Sequence, residues 1–548
     1  MSVQTRSREL RPAAELAATL GLEPDEIQAY GRDAAKLELS AIDRLAGRPD
    51  GRIVSVTSMT PTRFGEGKTT TSISLAEGFG TIGANAILCL REPSLGPVFG
   101  IKGGGTGGGR AQIVPMESIN LHFTGDIHAI GAANNLLAAM VDAHLMQGNE
   151  LGLDPFSITW RRCMDMDDRT LRQVVIGLGG RLNGIPRQAG FDITAASEVM
   201  AIVAIASDLG DLRARLGAIT VGSTFEGEPV TAEQIGAAGS MAVLLKEALK
   251  PNLVQTAEGD PALVHCGPFA NIAHGNNSIV ADRLGLKLGD YVVTESGFGA
   301  EMGFEKFVDI VCRVGGIAPS VVVLVATTQA LKHHGGDSDG GITALERGLD
   351  NLRANLRVVE AFGLPCVIAV NKFPGDTAAE IDATRSLARD LGVAGVALNE
   401  GFEQGGEGAI ELAEAVLAAV GEPAPPQFLY ELDDPIDMKI EKIAMRAYGA
   451  AGVDLSPAAR SQVAELEKSG LASVPICMAK THLSLSHDPS LLGAPEGFTL
   501  PVRELRPYTG AGWIVALCGE MQTMPGLPAS SAAKRIDLDA AGNTVGLR

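Results

Sequence analysis

The segment Ser55-Val-Thr-Ser-Met-Thr-Pro-Thr-Arg-Phe-Gly-Glu-Gly-Lys-Thr-Thr-Thr71 decides the fold. An apolar, β-branched run from Ile53 to Thr57 enters a loop ending Gly65-Glu66-Gly67-Lys68-Thr69, and a helix-period stretch with Ser72, Ile73, Leu75 and Ala76 follows. Strand, glycine loop and helix in this order are the context of a phosphate-binding loop. Gly65 and Gly67 let backbone N–H groups close around phosphate oxygens, and the helix adds the positive end of its dipole. Lys68 would bridge the terminal phosphates, and the Thr69 hydroxyl would ligate magnesium. The G-x-x-x-x-G-K-[ST] pattern asks for glycine at position 62, where this chain has Thr62, so the match is a variant and a chance glycine turn is its alternative. Glu295, at the end of another apolar run, is a second candidate for holding magnesium or its water shell, against its reading as a cap or surface acid.

Four more short runs read as buried parallel strands: Ala86 to Leu90, Tyr291 to Thr294, Val321 to Ala326 and Val367 to Val370. Helix-period segments such as Thr69 to Gly80 and Glu346 to Phe362 lie between them. The alternation predicts an α/β fold, a P-loop-type doubly wound parallel sheet with a large inserted subdomain and a C-terminal α/β domain. The expected divisions are 1–145 with 285–421 for the nucleotide-binding domain, 146–284 for the insert and 428–548 for the C-terminal domain. Ala129 to Leu145, Ser197 to Leu209 and Thr231 to Leu249 read as helices, and the proline-rich stretch Glu422 to Gln427 as a linker.

A chain of 548 residues, 45% apolar and 20% charged, is too long for a small binding module and too apolar for wholesale disorder. Its 67 glycines, about 12% against an average near 7%, cluster in short motifs. The formal charge of −20 argues against nonspecific attraction to nucleic acid or anionic membranes, so anionic ligands must be caught by placed donors. Seven widely spaced cysteines, without a CxxC, read as reduced, packed thiols. Met1 to Leu20 lacks the apolar core of a signal peptide, and no apolar stretch reaches membrane-spanning length. The expectation is a cytoplasmic protein.

Other constellations carry less. Gly103 to Gly109 satisfies G-x-G-x-x-G but follows no convincing strand, and reads as a loop over a ligand. Adjacent histidines such as His333 and His334 rarely converge on one ion. Asp165, Asp167 and Asp168 beside Arg161, Arg162, Arg169 and Arg172 read as a solvated or interface salt-bridge face. Asn371-Lys372 after a strand resembles a base-reading pair, but Pro374 stands where an Asp would complete it.

Taken together, Thr60 to Thr69, Arg91-Glu-Pro-Ser-Leu-Gly-Pro97, Phe269-Ala-Asn-Ile-Ala-His-Gly275 and Met524-Pro-Gly-Leu-Pro528 resemble the formate–tetrahydrofolate ligases, from about residue 10 to the C-terminus. The resemblance implies an ATP-dependent ligase of one-carbon metabolism using Mg2+, activated by a monovalent cation (K+ or NH4+) and assembled as a homotetramer. It implies that formate is converted to formyl phosphate before N10 of tetrahydrofolate attacks. Within it, Thr62, Arg63, Phe64, Gly65, Glu66, Gly67, Lys68 and Thr69 would hold ATP, and Thr69 and Glu295 the metal. Arg91 matches the arginine expected to hold formate and formyl phosphate, a role that suits its twofold donor fork. Glu92 and Asp126 match acids near the folate, Asp126 with a turn or cap as its alternative. Lys68, Arg91 and Asp126 are thus the expected catalytic residues. Phe373, followed by Pro374, matches one ring of the pterin sandwich, and Phe402 stands where the other is commonly tryptophan.

Further departures from the pattern are Gln329 in place of arginine, Asn276 in place of cysteine and His482 in place of glutamine. Two rival readings are a P-loop ATPase switch that binds and releases a protein, and a catalytically weakened paralogue. The switch leaves the aromatic pair and the segment from Pro268 to Asn277 without a purpose.

Overall fold

A computed structural model describes residues 10–547 except 64, 101–103, 338–339 and 423; Phe64 therefore lies outside the described residues. At its centre seven strands run parallel, in the spatial order Pro261–Val264, Ala86–Leu90, Tyr291–Gly299, Arg52–Ser58, Pro319–Ala326, Cys366–Asn371 and Gly395–Asn399. Alternate residues of these strands enter two separate cores. Val54, Val56, Val321, Val323 and Val325 pack on one face, and Ile53, Val322, Leu324, Ile368 and Val370 on the other. Burial on both faces explains why the strands read as unbroken apolar runs.

The expected strands all form, most of them longer than read. The sheet also gains an antiparallel margin, Asn252–Thr256 beside Pro261–Val264, with Ala34–Leu37, Ile27–Tyr30 and Ala111–Val114 beyond it. Two of these strands come from 252–264, inside the segment expected to be inserted, so the sheet reaches further along the chain than the run of apolar segments indicated. Their sequences, Asn-Leu-Val-Gln-Thr and Pro-Ala-Leu-Val, are too short and too mixed to stand out.

Helix Lys68–Thr81 is buried along most of its length, whereas Ile342–Ala361 buries Leu345, Leu349, Leu352, Leu356 and Val359 on one stripe. Of the helices expected as continuous, one ends early and one is divided. Asp208 accepts a hydrogen bond from the Asp211 N–H and starts a new helix at Leu209–Ala218, so the first ends at Ile205. Gly236 takes a left-handed conformation that separates Ala232–Ile235 from Ala238–Leu245. The C-terminal portion has its own four-stranded sheet, ordered Gly452–Leu455, Thr499–Tyr508, Trp513–Cys518 and Ile476–Ala479, with helices Ile436–Tyr448 and Pro457–Lys468. No described helix is long and apolar enough to cross a membrane. All seven cysteines are buried and free, as their spacing suggested.

Candidate active site

Because the seven central strands are parallel, the residues that follow each one gather along one sheet edge. In open α/β sheets that edge is where ligands bind. The Arg52–Ser58 strand delivers the loop 59–67, and the Ala86–Leu90 strand delivers Arg91 and Glu92. The Tyr291–Gly299 strand carries Glu295 at a bulge, and the next three strands end in Thr327, Asn371 and Asn399.

The glycine loop is tied down from three sides. Thr62 N donates to Glu66 Oε1 at 2.6 Å, Thr327 Oγ1 donates to Glu66 Oε2 at 3.0 Å, and Asn371 Nδ2 donates to the Glu66 carbonyl at 3.1 Å. Glu66 is therefore a buried fastener of the loop, a role its sequence position did not reveal. Gly67 has φ 69°, and a Cβ there would lie 2.4 Å from Asn371 Nδ2. Only glycine fits both constraints, and the helix Lys68–Thr81 starts directly after it. Gly65 is also left-handed, at φ 81°.

Lys68 Nζ donates to Ser58 Oγ at 3.2 Å. Desolvation pulls its ammonium below the ordinary lysine value, opposed by the charges of Glu295 and Glu66. Glu295 joins the cluster: Thr69 Oγ1 donates to its Oε2 at 2.6 Å and Arg91 Nη2 to its Oε1 at 2.8 Å. Burial alone would raise the Glu295 carboxyl, but Arg91, Lys68 and the Thr69 hydroxyl carry it below the usual range. Arg91 also donates to the Pro268 carbonyl at 3.2 Å, while its buried Nε makes no hydrogen bond to the protein. A buried guanidinium N–H aimed at no protein acceptor suits a small anion.

Asp126 begins the helix Asp126–Met146 and is held by Lys36, 2.7 Å from Oδ1, and by Asn252 Nδ2, 2.8 Å from Oδ2. The Lys36 side chain is fully buried. Both oxygens of Asp126 are thus engaged inside the protein. Burial pushes Glu92 well above the carboxylate range, helped by the Asp126 charge and opposed by Lys36, and its Oε2 has no hydrogen-bond partner. Lys36 lies ninety positions before Asp126 and was missed because nothing local marks a buried lysine.

The two aromatic candidates flank the start of the same helix. The Phe373 ring lies 3.5 Å from where a Gly67 Cβ would sit, and Phe373 N donates to Asp376 Oδ2 at 2.8 Å. Pro374 is exposed beside it. Phe402, 39% exposed, packs its ring on Gly108 and accepts from Arg110 N at its carbonyl, 2.9 Å away. The left-handed Gly109, at φ 64°, leaves no room for a Cβ beside the Phe402 carbonyl. That packing accounts for Gly108 and Gly109 of the glycine run. Arg63 is exposed on the loop.

The remaining family-like segments surround this edge. Lys306, buried between two π-helical segments, donates to the carbonyls of Ala270 and Ala273 and so shapes the loop from Phe269 to Gly275. The charge cluster between Arg161 and Arg172 is not simply a solvated face. Asp165 accepts from Ser94 Oγ and from Leu95 N, and Arg172 Nε and Arg169 Nη2 donate to the Met524 and Leu527 carbonyls. It fastens the segment after Arg91 and the C-terminal loop. His334 Nε2 is bonded to the Thr60 carbonyl at 2.8 Å, and no described group of three or more His, Cys, Asp or Glu is arranged to hold a metal ion. Lys332, the neighbour of Gln329, is paired with Glu380. His482 stacks on Phe298 with ring centroids 4.2 Å apart, and Asn276 Nδ2 donates to Ser296 Oγ at 3.0 Å.

A mainly parallel α/β sheet whose carboxyl edge gathers a glycine loop, a lysine, an arginine and buried carboxylates defines a protein built to receive anions at that edge. The comparisons are more specific. The family model described as formate–tetrahydrofolate ligase matches residues 2–548. A formate–tetrahydrofolate ligase of Roseiflexus sp. (strain RS-1) is 54% identical, with 98% of each chain covered. Those of Paracoccus denitrificans, 53% identical, and Desulforamulus reducens, 50% identical, each cover 99% of this chain and 98% of their own. The chain belongs to the formate–tetrahydrofolate ligase family.

Proposed function

We propose that this chain joins formate to N10 of tetrahydrofolate at the expense of ATP, giving 10-formyltetrahydrofolate, ADP and phosphate through formyl phosphate. The convergence of Arg91 and Thr69 on Glu295, next to Lys68, carries the reading. It supports a reading in which Arg91 receives formate beside the phosphates, as transfer of a phosphoryl group to formate requires.

The triphosphate would lie over the loop from Thr62 to Thr69, with Arg63 at its rim and the N–H groups of Gly65 and Gly67 toward the phosphates. Lys68 compensates charge on the transferring phosphoryl group. Thr69 and Glu295 offer the hard oxygen donors that suit magnesium, which typically keeps several waters and takes few protein ligands. A magnesium ion held there would neutralise phosphate charge. Arg91 holds formate by its free Nε donor. A formate oxygen attacks the γ-phosphorus and the bond to ADP breaks. N10 then attacks the formyl carbon, and the carbon–oxygen bond to phosphate breaks, so the phosphate departs with the formate oxygen.

Phe373 and Phe402 are proposed to enclose the pterin. Glu92, kept protonated by burial, would donate to it, the N10 proton would leave on the departing phosphate, and Asp126, neutralised by Lys36, would support Glu92. Activation by K+ or NH4+, assembly as a homotetramer and a cytoplasmic location complete the reading, with no nucleic-acid or membrane partner. A surface of net charge −20 supports selection of small anions by placed donors.

The test is to incubate the protein with MgATP, formate, tetrahydrofolate and K+, convert the product with acid and read methenyltetrahydrofolate absorbance. Product that depends on all three substrates is expected. ATP hydrolysis without product would reject the ligase and favour the ATPase switch.

A further inference from the structure

Two buried asparagines connect the glycine loop to the segment that carries Phe402. Asn371 Nδ2 donates to the Glu66 carbonyl at 3.1 Å, and Asn399 Nδ2 donates to Asn371 Oδ1 at 3.0 Å. Asn399 Oδ1 in turn accepts from Gly401 N at 3.3 Å and from Ser74 Oγ at 3.1 Å, and its Nδ2 also reaches Thr71 Oγ1 at 3.2 Å. Both asparagines are buried, at 3% and 0% exposure.

The polarity of this chain is dictated by its ends. The Gly401 N–H can only donate and the Glu66 carbonyl can only accept, so each amide has one workable orientation. The residue after Gly401 is Phe402, and Phe373 follows Asn371 by two positions. A shift of the glycine loop at Glu66 therefore alters the support of the segments bearing both aromatic rings. Lys372, between them, is held by Glu400 at 2.7 Å and Glu403 at 3.0 Å, which ties the two segments a second time.

We propose that Asn371 and Asn399 are positioning residues that hold the phosphate loop and the aromatic-bearing segments in one register, so that neither the ATP site nor the folate site can loosen alone. The inference rests on the proposed placing of ATP over the loop and of folate between Phe373 and Phe402. Neither asparagine is assigned contact with a substrate. Both act through the backbone groups at the two ends of the relay, and their removal leaves those groups buried and unpaired.

The test compares KM for ATP and KM for tetrahydrofolate in wild type, Asn371→Leu, Asn399→Leu and the double variant, with Phe402→Ala as a control. Leucine keeps the approximate volume, adds no charge and removes the hydrogen bonds. Each single variant is expected to raise both KM values by about fivefold or more, with a smaller change in kcat. The double variant should fall within about twofold of the worse single one, because one relay can be broken only once. A purely structural role would lower melting temperature without moving either KM, and that result, a shift in one KM alone, or multiplied effects in the double variant would overturn the proposal. If leucine at position 399 prevents folding, Thr71→Val removes one acceptor of Asn399 Nδ2 and must raise both KM values together. If Phe402→Ala leaves KM for tetrahydrofolate unchanged, the folate placing fails, and the relay is then judged by non-additivity in KM for ATP.

Discussion

Arg91 and Glu295 form an ion pair at 2.8 Å across neighbouring parallel strands, and the same carboxylate accepts the Thr69 hydroxyl at the start of the helix that follows the glycine loop. The arginine at one strand end is thereby held in register with the helix that follows another. Its fork is turned by two fixed acceptors, Glu295 and the Pro268 carbonyl, and its buried Nε has no protein acceptor. Removing the arginine should therefore act on formate more than on ATP. Arg91→Ala is expected to reduce formate-dependent turnover by about 10²-fold or more while ATP still binds, and Arg91→Lys should not restore it because an ammonium cannot reproduce the fork. Steady-state turnover together with nucleotide binding by calorimetry checks this; normal turnover in either variant removes Arg91 from the mechanism.

Lys68 should show a different pattern. Its ammonium is desolvated and donates to Ser58 Oγ. Lys68→Ala is expected to lower kcat by about 10² to 10³-fold. The folded state should persist, because Glu66 still fastens the glycine loop to Thr62 and Thr327, and a melting curve checks this. Retained kcat with a raised KM for ATP would reduce Lys68 to a binding residue.

The aromatic pair gives a prediction of gain. Phe402 packs on Gly108, and its partly exposed ring offers less area than an indole. Phe402→Trp is expected to lower KM for tetrahydrofolate by a factor of about two to five, and Phe402→Ala to raise it by about five to ten, from stacking energies near 1 kcal/mol. Phe373→Ala should raise it as well. Equal KM values across this series would remove the pair from the folate site.

Glu198 should make stability fall as pH rises from mildly acid to just above neutral. Its carboxyl, buried under the Gly510 and Ala511 N–H groups, is pushed up to about 8 by burial. The folded chain therefore binds a proton that the unfolded chain releases near 4.5. The stabilisation is complete below the unfolded value and is lost as pH rises from about 4.5 through about 8, with a slope of up to about 1.4 kcal/mol per pH unit. Denaturant unfolding of Glu198→Gln across that range should show a shallower slope than wild type; parallel curves would show that Glu198 does not titrate there.

The parallel strands were legible because burial on both faces leaves unbroken apolar runs, and the glycine loop because its residues are contiguous. The family-like motifs were legible for the same reason. What escaped were residues whose meaning depends on distant partners. Lys36 is an ordinary lysine until the fold sets it against Asp126, and Glu66 looks like a loop acid until Thr62 and Thr327 close on it. Asn371-Lys372 resembles a base-reading pair in sequence, whereas the Asn371 side chain serves the loop backbone and Asn399. The short antiparallel strands at Asn252 and Pro261 carry too few apolar residues to be separated from loops without knowledge of the sheet they join.

The account turns on formate being activated by phosphoryl transfer beside Arg91 and Lys68. Supplying the enzyme with [18O2]formate, ATP and tetrahydrofolate and analysing the released phosphate by mass spectrometry tests it directly. One 18O atom per phosphate is predicted, because the leaving phosphate keeps the formate oxygen that attacked it. Unlabelled phosphate, with 10-formyltetrahydrofolate formed at the normal rate, would contradict the account.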